Sequence, residues 1–188
     1  MPRYSMIIDV KKCVGCFSCS VACQHQNVLP IESNFIRFED QEKGEFPKVS
    51  YVIAPFQCQH CTDAPCVAAC PTTASHKDSF GLTQVDTSKC IGCRRCVAAC
   101  PYNARIFEAD EGVAKACNMC LSLVAEGQEP ACVSTCLTVA RYFGDLDNPK
   151  GRFAKALEEA KPLRPDFKTQ PTLRYIFASG RVDNGPVK

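Results

Sequence analysis

Apolar residues along this chain come in short bursts between polar stretches, and no burst is long. In FGLTQVDTS (80–88) the alternation predicts a short hairpin with Gly81 at its turn. Phe35 to Glu39 and Val49 to Ile53 flank the polar, glycine-containing QEKGEFP, which predicts a second hairpin inserted over 31–53. Arg105 to Glu108 and Gly112 to Lys115 predict a third. Helical spacing is clearest in NPKGRFAKALEEAK (148–161), with Asn148 as its cap and Pro149 in its first turn. The VAAC runs at 67–70 and 97–100 are also good helix material, each followed at once by a proline. Pro162, Pro165 and Pro171 then keep the tail extended. A tail of that length is expected to lie along a partner rather than hang free. The pattern is that of an α+β protein of small elements.

These bursts supply little core. Apolar residues are 46% of the chain, but that class includes sixteen cysteines, and tryptophan is absent. With the cysteines set aside the apolar fraction is thin, so something besides aliphatic packing must hold the fold. The formal charge of +2 includes no basic run of the kind that binds nucleic acid. No eighteen apolar residues run together, so the chain has no membrane span of its own. The apolar patch in MPRYSMIIDVKKC is too short for a signal peptide, and a signal-less chain rich in cysteine points to metal rather than disulfides. No Ser-His-Asp constellation, dinucleotide fingerprint or P-loop is visible, and Glu158 with Glu159 reads as a solvated helix face. The chain therefore reads as a conductor, not an enzyme.

The cysteines carry the chemistry. They fall into four groups: Cys13, Cys16, Cys19, Cys23; Cys58, Cys61, Cys66, Cys70; Cys90, Cys93, Cys96, Cys100; and Cys117, Cys120, Cys132, Cys136. Every group opens with C-x2-C and closes with C-x3-C, so this is an internal repeat with insertions. Thiols three apart on a loop can converge on one small object, and Gly15 and Gly92 sit inside such loops where close backbone approach excludes a Cβ. The last two thiols of each group are four apart, so on a helix they share a face, and the fourth points from the helix start toward a second object. CIGCRRCVAACP matches the bacterial ferredoxin run C-x2-C-x2-C-x3-C-P, whose fourth cysteine ligates the other cluster of a pair. Sixteen thiolates are thus expected to hold four [4Fe–4S] clusters. Zinc is the competing reading, because C-x2-C pairs are zinc-knuckle spacings, but groups one and three each give a triplet plus one.

Groups two and three both end in Cys-Pro and lie close together, so the simplest division pairs them and leaves one with four, one pair nested in the other. Lys11, Lys12, Lys89, Arg94, Arg95 and Lys115 flank the thiols, and two readings stand side by side: they offset part of the cluster charge, or each is an ordinary surface cation. His60, between Cys58 and Cys61, is expected to hold its ring in solvent, and neither it nor His25 nor His76 is a ligand, since the thiols already fill four sites.

CVGCFSCSVAC, CQHCTDAPCVAACPTTA, VDTSKCIGCRRCVAACPY and AKACNMC…EGQEPACVSTC, in that order, resemble the four-cluster electron-transfer subunit of molybdopterin oxidoreductases, over roughly residues 4 to 145. The family includes dimethyl sulfoxide, thiosulfate, polysulfide, tetrathionate and arsenate reductases. The resemblance implies two nested bacterial-ferredoxin-like two-cluster domains with short hairpins and an extended C-terminal tail: 1–30 with 109–145, then 54–108, with 31–53 inserted and 146–188 as helix and tail on a partner. It implies one cluster on Cys13, Cys16, Cys19 and Cys136, and its neighbour on Cys117, Cys120, Cys132 and Cys23. The other pair is implied on Cys58, Cys61, Cys66 and Cys100, and on Cys90, Cys93, Cys96 and Cys70. The implied partners are a molybdopterin (Mo or W) catalytic subunit and an integral-membrane quinone-reactive subunit. The implied place is at the membrane through those partners, on its periplasmic face as a passenger of the catalytic partner, with the cytoplasm as the alternative. A subunit of a soluble hydrogenase or formate dehydrogenase is the alternative, distinguished by its partners.

Overall fold

The computed structural model describes residues 1–177. The apolar patch near the N-terminus becomes strand β1 (Tyr4–Asp9), the centre of a three-stranded sheet. Alternation along β1 sends Met6 and Ile8 into the main core and Ile7 to the opposite face. Helix α1 (Ser18–Gln26) follows, and then the inserted hairpin of β2 (Arg37–Lys43) and β3 (Ser50–Phe56). Helix α2 (Pro65–Ala68) precedes the hairpin of β4 (Ser75–Lys77) and β5 (Thr83–Val85), and Asp78 closes that turn by accepting the Phe80 and Leu82 N–H groups. Helix α3 (Arg95–Ala99) precedes the hairpin of β6 (Arg105–Glu108) and β7 (Val113–Ala116). All three hairpins lie where the apolar pattern puts them, shifted by a few residues at their ends.

The fourth group brings α4 (Leu121–Ala125), α5 (Ala131–Ser134) and β8 (Arg141–Asp145), and β8 pairs antiparallel with β1. Helix α1 packs on α5, and α2 packs on α3. The first and fourth cysteine groups therefore share one helix contact, and the second and third share another.

Two expectations are corrected here. Helix α6 runs over Gly151–Glu159 with Lys150, not Asn148, at its cap position, because Gly151 takes a φ of +56° and sets the start there. The segment after it, as far as residue 177, is not a free arm but is built into this chain's own fold. Arg174–Ile176 forms β9, which pairs parallel with β1, and Leu163, Leu173, Tyr175 and Ile176 are buried in this chain's own core. The prolines keep the segment extended, but its apolar side chains are enough to bury it at home. Residues 178–188 of the expected tail lie outside the described residues. Among the described residues no helix is long and apolar enough to cross a membrane.

The main core joins Met6, Ile8, Phe35, Phe56, Tyr102, Leu163 and Tyr175 with Cys19, Cys23, Cys58, Cys61, Cys100 and Cys132. Cysteine side chains thus supply part of the packing that the aliphatic content lacks.

Candidate metal centres

Each C-x2-C pair closes over the same backbone turn. Its last inner residue is Gly15, His60, Gly92 or Met119, with φ of +65°, +44°, +69° and +59°. Two of these glycines are required by space as well as by φ. A Cβ on Gly92 would lie 2.5 Å from the Gly112 carbonyl oxygen, and one on Gly15 would lie 2.8 Å from the Ile53 side chain. His60 and Met119 occupy the same left-handed position with fully buried side chains. The expectation that the His60 ring sits in solvent is therefore wrong. The turn aims the ring inward, where its Nδ1 accepts the Thr83 N–H at 3.1 Å, and burial holds its pKa down at about 3.

The third cysteine lies in α1, α2 and α3 for the first three groups and in α5 for the fourth, where α4 intervenes. The fourth cysteine lies within the longer α1 and at or just past the end of α2, α3 and α5, not at a helix start. Cys100 is the residue that terminates α3, and Cys70 and Cys136 lie just beyond α2 and α5. In that position each accepts a backbone N–H from the chain as it turns away: Ser75 to Cys70 at 3.3 Å, Ala104 to Cys100 at 3.4 Å, Ala140 to Cys136 at 3.2 Å. Helix α1 is longer and keeps its own N–H groups, so Cys23 is served by the Asn27 side-chain amide at 3.6 Å instead. The fourth thiol of every group accordingly has an N–H donor.

Thiols from distant segments are brought together. Cys13, Cys16 and Cys19 line one small cavity with Cys136, and Cys90, Cys93 and Cys96 line another with Cys70. The two are matched in size at about 350 and 330 Å³, open solvent included. The remaining thiols are more deeply buried. Burial pushes Cys58 up to about 12, with Cys100 and Cys61 adding repulsion, and pushes Cys61 up to about 11, with Cys66 and Cys100 adding theirs. Burial likewise raises Cys23 to about 12, with Cys132 and Cys120 beside it. Cys117 is raised well above its ordinary value by burial and then by Cys23, Cys58 and Cys132. Among the described residues no three Cys, His, Asp or Glu side chains are gathered to hold a single metal ion. Eight of the sixteen thiols line the two cavities, and the other eight are clustered deeper in the core.

Of the two readings of the flanking cations, the structure favours ordinary surface residues. Lys11 pairs with Glu159, Lys12 with Asp9, Lys89 with Asp86 and Lys115 with Glu111, while Arg94 lies over the Phe107 ring. Each pair keeps at least one member exposed, although Asp9 is buried and Lys115 is only partly exposed, and Arg95 is exposed. Two arginines are buried instead, Arg105 and Arg141, at 3% and 2% exposure. Burial opposes the Arg105 charge, but the thiols of Cys66, Cys58 and Cys96 outweigh it. Cys132 and Cys19 do the same for Arg141. Nε and Nη1 of Arg105, and Nη2 of Arg141, are buried with no hydrogen-bond partner. Unpaired cationic N–H groups beside clustered thiols fit an anionic, sulfide-bearing group between them, which would accept those bonds. A fixed motif was available in the sequence: an arginine five residues after the last cysteine of groups three and four.

Comparison with known proteins decides the chemistry of that group. A 4Fe-4S dicluster domain matches residues 49–146, more than half of the chain, and a second model of that description matches 12–74. The chain belongs to the 4Fe-4S dicluster family. It carries 4Fe–4S clusters. Similar proteins include the thiosulfate reductase electron transfer subunit of Salmonella typhi, 46% identical over 77% of this chain and 77% of its own length. A tetrathionate reductase subunit of Salmonella typhimurium is 36% identical, covering 93% of this chain and 72% of its own. The arsenate respiratory reductase iron-sulfur subunit of a Shewanella strain is 33% identical over 95% of this chain and 97% of its own. As a dicluster protein, this chain aligns along most of its length with subunits of reductase complexes.

Proposed function

We propose that this protein is the electron-transfer subunit of a respiratory reductase, carrying four [4Fe–4S] clusters in a row. The observation that carries the reading is the gathering of thiols across groups, three from one and the fourth from its partner group. Cys13, Cys16, Cys19 and Cys136 hold one cluster, and Cys90, Cys93, Cys96 and Cys70 another. Support for both comes from the cavities these thiols line. Cys117, Cys120, Cys132 and Cys23 hold a third, and Cys58, Cys61, Cys66 and Cys100 a fourth, as the mutual proximity of their thiols supports. The two ferredoxin-like units are nested, with the first and fourth groups around the second and third, as the packing of α1 on α5 and α2 on α3 supports.

The order of the row follows from two observations. Cys117 of one buried set lies near Cys58 of the other, so the buried sets are the middle of the row. Cys16 and Cys93 are the exposed cysteines, one in each remaining set, which makes those two sets the ends. Electrons enter at one and leave at the other. Around the Cys16 end Val14, Phe17, Val21 and Leu137 stand exposed, and Ile91 does so at the other. The protein itself carries no substrate chemistry. A 4Fe–4S cluster supplies one-electron storage; the chain supplies thiolates, N–H donors and exclusion of water.

The relatives are named as subunits of thiosulfate, tetrathionate and arsenate reductases. We take the partner at one end to be a molybdopterin catalytic subunit and at the other a quinone-reactive membrane subunit, with the complex on the periplasmic face. Anaerobic purification on a tag carried by this chain tests it. Recovery of a molybdopterin-containing subunit and a membrane protein in equal amounts is the expected result. A hydrogenase subunit in their place, or soluble recovery without either, would overturn it.

A further inference from the structure

The internal repeat places an arginine five residues beyond the last cysteine in only two of the four groups, at Arg105 and Arg141. At the same position group two has Ser75 and group one has Val28. One arginine therefore falls to each pair of groups. Arg105 donates from Nη2 to the Ser75 hydroxyl at 2.6 Å, so it reaches from the third group to the matching position of the second. Its other neighbours are the thiols of Cys66 and Cys58, from one proposed cluster, and of Cys96, from the other. Val28 faces solvent and offers nothing to Arg141, which instead donates from Nη1 to the Gln57 side-chain carbonyl oxygen at 2.6 Å. The same nitrogen is 3.8 Å from the Cys132 sulfur, and Arg141 also lines the cavity of Cys13, Cys16, Cys19 and Cys136. Each arginine thus stands between the two thiol sets of its own half.

A purely structural arginine would have its donors filled by protein acceptors. Lys77, the half-buried cation nearby, has this form: its ammonium donates to the carbonyls of His60 and Cys61 and to the Thr83 hydroxyl. In each arginine an N–H group is left with no protein oxygen to donate to, and the acceptors nearby are the thiols of Cys66 and Cys96 for Arg105 and of Cys19 for Arg141, so the buried charge calls for an anion beside it. Reduction adds one negative charge to a cluster. A fixed cation close by, in a site that salt does not screen, favours the reduced form.

We propose that Arg105 and Arg141 are the fixed countercharges of the relay, one per cluster pair, each raising the reduction potentials of both clusters in its half. The proposal rests on the four-cluster reading above. They act as positioning residues for charge and ligate nothing.

The test is a redox titration of the anaerobic holoprotein followed by electron paramagnetic resonance, with iron and labile sulfide counted on each sample. Arg141→Gln is expected to lower two of the four midpoints and leave two unmoved. Arg105→Gln is expected to lower the other two. The shift should be at least tenfold in the oxidised-to-reduced ratio at fixed potential, about 59 mV for a one-electron couple. Arg105→Lys and Arg141→Lys, which keep the charge, should titrate close to the wild type. Arg→Met serves as a second neutral side chain. Full iron with unmoved midpoints would overturn the proposal, as would equal shifts in the Lys and Gln variants. Loss of iron from both neutral side chains at one position would assign that arginine a structural role and overturn it there. A wild-type protein short of four clusters would instead sink the relay reading, so the two failures are distinguishable.

Discussion

Gly92 carries two constraints at once, a φ of +69° and a carbonyl oxygen 2.5 Å from where a Cβ would stand. Gly92→Ala is expected to cost about 1–3 kcal/mol in strain and displacement, read as a lowered denaturation midpoint of the holoprotein. The glycines of the first and third groups show from sequence that these loops turn tightly. His60 and Met119 hide the same turn, because a left-handed histidine or methionine has no signature in the letters. His60→Ala would empty a fully buried site and strip the Thr83 N–H of its acceptor. A loss of about 1–3 kcal/mol is expected, measured by the same denaturation. Unchanged stability would mean that the ring is a passenger. Arg105 and Arg141 share a spacing in the sequence, five residues past the last cysteine of groups three and four, but the letters do not show that they are buried. An arginine at a strand start reads as a surface cation until the fold brings thiols from several segments around it.

Elements built from local alternation are legible in the sequence, and elements built from distant partners are not. The hairpins β2–β3, β4–β5 and β6–β7 each satisfy their hydrogen bonds within a short stretch, so their turns and patterns announce them. The β8–β1–β9 sheet joins the N-terminus to two segments more than a hundred residues away, and nothing local marks that pairing. The segment after α6 misleads for the same reason, since its prolines are visible but its place beside β1 is not. Leu173 is fully buried there. Leu173→Ala should cost about 2–5 kcal/mol if this segment is part of the fold, and close to nothing if it were a free arm. Gly144 makes a second test of this side of the molecule, because a Cβ there would meet the Phe153 ring at 2.5 Å. Gly144→Ala is expected to loosen α6 from the sheet, seen as faster amide exchange in α6 and β8 with the hairpins unaffected.

Across the whole molecule, the repeat of cysteine groups makes the number of thiols and their class of cofactor readable from the letters alone. Which thiols share a space is readable only through resemblance, because the spacing says that a fourth thiol leaves its group without saying where it goes. The fold supplies the reason. Helices α2, α3 and α5 stop at or just before their fourth cysteine, and the helices pack in pairs, α1 with α5 and α2 with α3. A core poor in aliphatic side chains closes around those thiols, so holoprotein and apoprotein should differ sharply in stability. Removal of iron by a chelator under reducing conditions is expected to lower the thermal midpoint by tens of degrees, and a small change would mean the fold stands without its clusters.

The relay depends above all on the crossing of thiols between groups, and an iron count on paired variants reports that crossing. The anaerobically purified wild type should carry about sixteen iron and sixteen labile sulfide per chain. Cys58→Ala with Cys100→Ala removes two thiols of one proposed cluster and should leave about twelve iron. Cys58→Ala with Cys70→Ala removes two thiols of one sequence group but of two proposed clusters, and should leave about eight. The reverse result, eight for the first pair and twelve for the second, would mean that each group holds its own cluster and would contradict the crossing.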